Sequence, residues 1–470
     1  MKAQNKNFLY NILYQLLTFF VPLITVPYVS RMLGAENVGI YSYTYSIVYI
    51  FMLFGMLGIN NYGSRTIARV RDEKDKLSRT FFSIYFLQLI INVIALVLYS
   101  IYVLVIANSY KSVYLIQTIF LISICFDINW FFFGLEKFKI TVTRNLIIKI
   151  LSVILVFILV KDKGDLNVYT FIMSFSALLS QIFLLIILPK YVNLKKVKFK
   201  EIFSHFKEIL YLFIPVLAFS IYKVMDKTMI GLFSSVTQVA YYEYAEKLMN
   251  IPTAVISALG TVMLPHMSYI MQNDKEKYKK TIFDSMKLVS KLSTIMCLGL
   301  ILISSDAVKV LFGSEFEASS SILILLSTTI LASSWANVIR TQFLIPLKKD
   351  KVYIRSTFVA AVVNLFLNII LIRKYAAVGA CIGTIVSEFV VMLYQLFSTK
   401  NELEYKKYMI CLIGEGIQSF IIIIIAFIFS IFIHNVYLRL IVKVSISALL
   451  FFLLNKEYII HDFLGKIKSK

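Results

Sequence analysis

Long apolar runs, broken by short polar and mostly basic interruptions, fill the chain from its first residues to its last. A bilayer-spanning helix needs about 20 consecutive, predominantly apolar residues. Fourteen segments meet that length: 8–31, 38–62, 81–107, 113–134, 139–160, 168–189, 207–233, 238–270, 288–312, 319–346, 352–372, 378–398, 408–432 and 436–455. The segment 238–270 is the weakest, because Glu243, Glu246, Lys247 and Pro252 interrupt it. Lys2 and Lys6 precede the first run, which continues to about Val29 without a small-residue cleavage site. That pattern reads as an uncleaved first spanning helix.

Composition agrees. Of 470 residues, 59% are hydrophobic and only 16% charged, against about 45–50% and about 25% in soluble proteins. The mean hydropathy is +0.81. A water-soluble interior of this size cannot hide so much apolar surface, so the expected class is an all-α integral membrane protein of about fourteen transmembrane helices.

The net charge of +22, from 48 basic and 26 acidic residues, would suggest nucleic acid in a soluble protein. Its distribution points elsewhere. With both termini in the cytoplasm, 34 of the 48 basic residues fall in cytoplasmic segments, 8 in outer loops and six inside helices. This is the positive-inside bias, and it faces the anionic inner leaflet. A multi-pass protein of the cytoplasmic membrane is expected, with no nucleic-acid partner.

Catalytic and cofactor signatures are missing. Cys125, Cys297, Cys381 and Cys411 are widely spaced in apolar runs, and the four histidines form no H-x-x-x-H pair. Neither disulfide nor metal site is indicated. There is no phosphate-binding G-x-x-x-x-G-K-[ST], and Gly414-Glu415-Gly416 lacks the third glycine of a dinucleotide fingerprint. The chain reads as a transporter rather than an enzyme, without a cofactor, and its energy must come from a gradient or a coupled partner.

The sequence also repeats itself weakly. Ile12-Leu13-Tyr14 returns as Ile209-Leu210-Tyr211, Met32-Leu33-Gly34 as Met229-Ile230-Gly231, and Tyr41-Ser42-Tyr43 as Tyr242-Glu243-Tyr244. Their shared order predicts two pseudo-symmetric six-helix lobes, 1–200 and 201–400, in parallel orientation because six is even. The remainder, 401–470, holds two additional helices and a basic tail.

At Arg31-Met32-Leu33-Gly34-Ala35-Glu36-Asn37-Val38-Gly39-Ile40-Tyr41, Gly58-Ile59-Asn60-Asn61-Tyr62-Gly63-Ser64-Arg65 and Asp226-Lys227-Thr228-Met229-Ile230-Gly231, the chain resembles polysaccharide-repeat-unit flippases of the Wzx/PST type. Gly379-Ala380 through Gly383-Thr384 resembles the small-residue helix of the wider MOP superfamily, which includes MATE exporters and MurJ lipid II flippases. The resemblance implies a flippase that moves undecaprenyl-diphosphate-linked oligosaccharide across the cytoplasmic membrane for capsule, O-antigen-like or exopolysaccharide synthesis. It also implies polysaccharide polymerase and glycosyltransferases as partners. Two rivals share the fold. A lipid II flippase is disfavoured because residues 8–30 carry no charge, and a MATE-like drug/cation antiporter because in-helix basic residues outnumber unpaired acids.

Charges inside helices are the candidate site, since an ionisable group at mid-bilayer normally faces a cavity, a partner or the interface. Lys149, Lys223, Lys227, Lys247 and Arg340 are the basic candidates for a cationic cavity, and the resemblance adds Arg31 at the end of the first helix. Local pairing is the competing explanation for two of them, Lys223 with Asp226 and Lys247 with Glu243. Asp127, Glu388 and Asp226 are candidates for a coupling proton or sodium ion. Glu415 also lacks a same-helix cation, and Lys443, on the last helix, is expected to snorkel. The tyrosines at 41, 43, 45 and 49 alternate with a period of two, which spreads them around a helix, so packing is their expected role.

Overall fold

The computed structural model describes the backbone of residues 2–457; within it, the side chains of residues 2–23, 214–215, 218–219, 221–223 and 457 lie outside the described residues. Among the described residues every regular element is helical and no strand occurs. By contacts the chain forms two compact units, Met1–Ala240 and Tyr241–Lys470.

The first unit runs α1 (Lys2–Met56), α2 (Ile59–Val70), α3 (Lys74–Ile101), α4 (Lys111–Cys125), α5 (Asn129–Gly134), α6 (Phe138–Leu159), α7 (Leu166–Ile187), α8 (Phe199–Ser204) and α9 (Phe206–Phe233). The expected loop between the first two spans is a single residue: α1 kinks at Gly34, whose φ of 76° and ψ of 172° suit a residue without a Cβ. A second break at Leu57 and Gly58 starts α2, so the chain predicted to end its second span at 62 stays helical to Val70. Helix α9 packs on α1 and α2, inside the first unit.

The second unit runs α10 (Val236–Asn273), α11 (Lys275–Phe312), α12 (Ser319–Ser327), α13 (Thr329–Val338), α14 (Asp350–Ser398), α15 (Tyr405–Ser430) and α16 (Val436–Glu457). Pro252 and Pro265 lie inside α10 without ending it. Helix α11 begins well before the expected 288, because Asp274 caps it by accepting from the Lys277 N–H at 2.9 Å. Helix α14 contains a non-helical residue, Ala376, with φ 50°. There the chain folds back so closely that a Cβ on Gly379 would lie 2.3 Å from the Leu371 carbonyl oxygen. Among the described residues, eleven helical stretches are long and apolar enough to cross a membrane, with Ile24–Val70 and Asp350–Ser398 each counted once despite their breaks.

Each unit is pinned by its one tryptophan. Trp130 is fully buried and donates its indole N–H to Gln88 Oε1 on α3 at 2.9 Å. Trp335 is fully buried and donates to Ser290 Oγ on α11 at 3.0 Å. Two glycine–asparagine contacts echo each other likewise. A Cβ at Gly55 would lie 2.4 Å from Asn92 Oδ1, and one at Gly260 would lie 2.3 Å from Asn337 Oδ1. Helices approach this closely only where the residue is small.

Candidate functional site

The polar groups inside the spanning helices gather into a few clusters. In the first unit the centre is Arg144, only 2% exposed, on α6. Its guanidinium donates to Asn129 Oδ1 at 3.0 Å, to Asn145 Oδ1, to the Ser180 carbonyl at 3.2 Å and to Gln181 Oε1 at 3.4 Å. Asp127 adjoins this network in the break between α4 and α5. Its Oδ1 accepts the backbone N–H of Asn129 at 2.9 Å and the side-chain amide of Asn129 at 2.6 Å. Gln88 closes the group by donating to the Asp127 carbonyl at 2.8 Å. Five donors on a rigid plane explain why an arginine can occupy so crowded a place. The charge count from the sequence places Arg144 with the cytoplasmic basic residues at the start of the span 139–160; Asn129 on α5 and Ser180 and Gln181 on α7 enclose it instead.

The second unit holds two ion-pair clusters on α11. Lys291 is 8% exposed, lies 3.0 Å from Glu415 on α15 and donates to Asn455 on α16 at 2.7 Å. Lys291 therefore belongs to the interior, although at the start of the span 288–312 the sequence counts it with the cytoplasmic basic residues, and the cation that Glu415 needs comes from another helix. Further along α11, Asp306 is 2% exposed and accepts from Lys443 at 2.7 Å and from Arg439 Nε at 3.0 Å. The expectation that Lys443 snorkels is overturned, because its ammonium is buried against a carboxylate and the Leu302 carbonyl. These pairs fasten the last two helices to α11.

The predicted site residues divide between the units. Lys149 lies half-buried on α6, five residues past Arg144, and Arg31 is exposed just before the Gly34 kink. Asp226 is 3% exposed and Lys227 half-buried on α9, next to Thr228, which donates to Ser46 Oγ at 2.8 Å. The side chain of Lys223 lies outside the described residues. In the second unit Lys247 takes the local partner, with Glu243 at 3.1 Å and the Tyr244 ring centroid at 4.5 Å. Arg340 sits in a π-helical turn, Ile339–Leu344, with its guanidinium 5.2 Å from the Tyr353 ring centroid. Glu388 is half-buried on α14.

Tyr41 and Tyr45 stack at 5.9 Å with an interplanar angle of 7°, and Tyr49 follows at 6.3 Å. These three share one face at i,i+4 spacing, against Phe120 and Tyr169, while Tyr43 turns toward Gly231. Among the described residues no group of three or more His, Cys, Asp or Glu could hold a metal ion.

The chain as a whole is similar to several known proteins. A protein of Escherichia coli (strain K12), named as a candidate O-antigen transporter, is 24% identical over 84% of this chain and 96% of its own length. The capsular polysaccharide biosynthesis protein CapF of Staphylococcus aureus is 26% identical over 85% of this chain and 99% of its own. Among solved structures, the lipid II flippase MurJ in an inward closed conformation superposes with a TM-score of 0.73 at 19% identity, covering 95% of this chain and all of that one. An inward-facing MATE family multidrug transporter of the MOP superfamily gives 0.61 at 14% identity over 81% of this chain and 93% of that one. Those likenesses show the fold. The family model described as polysaccharide biosynthesis protein matches residues 5–271, more than half of the sequence, and the chain belongs to that family.

Proposed function

We propose that this protein is a flippase that carries polyprenyl-diphosphate-linked oligosaccharide repeat units from the inner to the outer leaflet of the cytoplasmic membrane. The observation that carries the reading is the match of residues 5–271 to the polysaccharide biosynthesis family. Cations held within its spanning helices add physical support. The transported headgroup is large, polar and anionic at its diphosphate, so its passage needs hydrated, positively charged surroundings, while the polyprenyl tail stays in lipid. Lys149, Lys227, Lys247, Arg340, Arg31 and Lys223 are our candidates for those surroundings. Asp127, Asp226 and Glu388 are the candidates for a coupling ion.

The topology we infer has fourteen crossings. Dividing the two broken stretches at Gly34 and Ala376, and adding α9, takes the eleven long helices to that number. The sequence repeat supports a six-helix lobe on either side of about residue 200, with two helices after 400, and the bias of basic residues supports both termini in the cytoplasm. Moving negative charge outward also runs down an inside-negative potential, by about 2.3 kcal/mol per charge per 100 mV. Polysaccharide polymerase and glycosyltransferases are the partners expected of such a step.

Deletion of the gene tests the reading. Loss of surface polysaccharide, accumulation of lipid-linked repeat unit inside, and relief of any growth defect by removing the transferase that starts repeat synthesis are expected. Intact surface polysaccharide in a strain without a redundant transporter would refute it. A lipid II flippase would instead give lethality that no such removal relieves, and a drug antiporter altered sensitivity to cationic dyes.

A further inference from the structure

A cavity of about 790 Å³ opens in the second unit where the N-terminal turns of α11 meet the link between α14 and α15. Lys279, Lys280, Lys400, Lys406 and Lys407 line it. Two of its carboxylates are already matched: Glu402 pairs with Lys349, and Glu404 with Lys407 at 2.5 Å. The other four lining lysines are exposed and have no carboxylate within ion-pair distance among the described residues. Glu276 is the one remaining acid on the rim, so the cavity keeps a surplus of positive charge. Leu403 and Tyr408 are buried and provide an apolar floor.

Its position is as informative as its charge. Helix α14 ends at Ser398 and α15 begins at Tyr405, and both are long and apolar enough to span. The short link between them therefore lies at the membrane surface. On the membrane side of the lysines, Phe397 is 68% exposed and Ile410 is 70% exposed. A ring of ammonium groups thus sits about one helical turn from lipid-facing apolar side chains. A soluble anion or an acidic protein segment would make no use of that apolar flank.

We propose that this cavity is a binding site for the phosphodiester headgroup of an anionic phospholipid of the same leaflet, with its acyl chains lying along Phe397 and Ile410. Lysine clusters at the cytoplasmic end of spanning helices attract anionic lipid in this way. The proposal does not depend on which substrate is carried.

Native mass spectrometry of the purified full chain in detergent, titrated with dioleoylphosphatidylglycerol and with dioleoylphosphatidylcholine, tests the site. The fourfold variant K279Q/K280Q/K400Q/K406Q is compared with a control of equal charge change, K190Q/K196Q/K198Q/K200Q. Phosphatidylglycerol should bind in preference to phosphatidylcholine, at least about tenfold more weakly to the cavity variant and unchanged to the control. Lys→Arg replacement at the same four positions should retain binding, and keeps the test open if the glutamine variant fails to fold. Equal binding by the cavity variant and the wild type overturns the proposal. Displacement by inorganic phosphate or glycerol 3-phosphate at similar concentration overturns it in favour of a free-phosphate site. Displacement by polyprenyl diphosphate at far lower concentration overturns it in favour of the transported lipid.

Discussion

The Lys443 ammonium on α16 meets the Asp306 carboxylate on α11 at 2.7 Å, both almost fully buried. Arg439 holds the other oxygen of the same carboxylate. The acid is the hub of this cluster, because its removal leaves two cations facing each other. Breaking a buried pair by removing one partner costs about 3–5 kcal/mol. Asp306→Asn should therefore lower the thermal unfolding temperature in detergent far more than Lys443→Gln, where Arg439 still serves Asp306. Equal effects of the two variants would show that the cluster does not share its charge this way.

His205 makes stability depend on pH. Ser83 Oγ donates its proton to the Thr80 carbonyl at 2.9 Å, so it accepts from His205 Nε2–H at 2.8 Å. Nδ1 is then left to accept the Tyr62 hydroxyl at 2.6 Å. Burial pushes the imidazole below its ordinary value, against a smaller opposing effect of Glu208. The unfolded chain consequently binds more protons below about pH 6.5. Stability is full above that pH and falls as pH drops through it. Unfolding followed between pH 7.5 and 5.5 should show this loss, and His205→Gln should flatten the slope.

The pair Glu243–Lys247 separates packing from transport. Lys247→Gln removes the Lys247 ion pair from Glu243, whose side chain is 15% exposed, and should reduce the amount of protein in the membrane. The double variant Glu243→Gln/Lys247→Gln removes both charges and should restore the protein level. If the ammonium also meets the diphosphate, polymer export stays low in the double variant. Restored export would reduce Lys247 to a structural charge. Lys149→Gln, on the other unit, should lower export with little change in protein level.

Close helix approach at Gly260 gives a steric test. The Cβ of Gly260→Ala would sit 2.3 Å from Asn337 Oδ1, and overpacking of this kind costs about 1–3 kcal/mol. Adding Asn337→Ala should recover most of the loss, because that oxygen accepts no hydrogen bond within the described structure. Failure of the second change to recover stability would place the strain elsewhere.

Topology can be read in intact cells. Single cysteines at Ser109, Gly164, Ser234 and Glu317 should react with an impermeant thiol reagent. Cysteines at Lys76, Lys196, Lys277 and Lys349 should react only after lysis. External labelling of two of the second group would break the fourteen-helix topology.

The membrane class, the helical architecture and the family signature are determined by the sequence alone, because hydrocarbon admits only long apolar runs whose backbone bonds are satisfied internally. Local ion pairs along one helix are equally legible, as Glu243 and Lys247 demonstrate, since i,i+4 neighbours meet whatever the fold. The breaks at Gly34 and Ala376 fall within the gaps that the sequence leaves between spans, at 32–37 and 373–377, but only backbone geometry narrows each to a single non-helical residue. Arg144 and Lys291 were hidden for a related reason. Each lies a few residues inside the start of its expected span, 139–160 or 288–312, where a one-dimensional reading counts a basic residue with the loop, and only the neighbouring helices that enclose it show otherwise. The partners of Lys443 and Glu415 lie more than a hundred residues away in the chain. Tertiary structure alone decides which buried charges face each other, because a charge in a helix carries no local mark of the helix that will neutralise it.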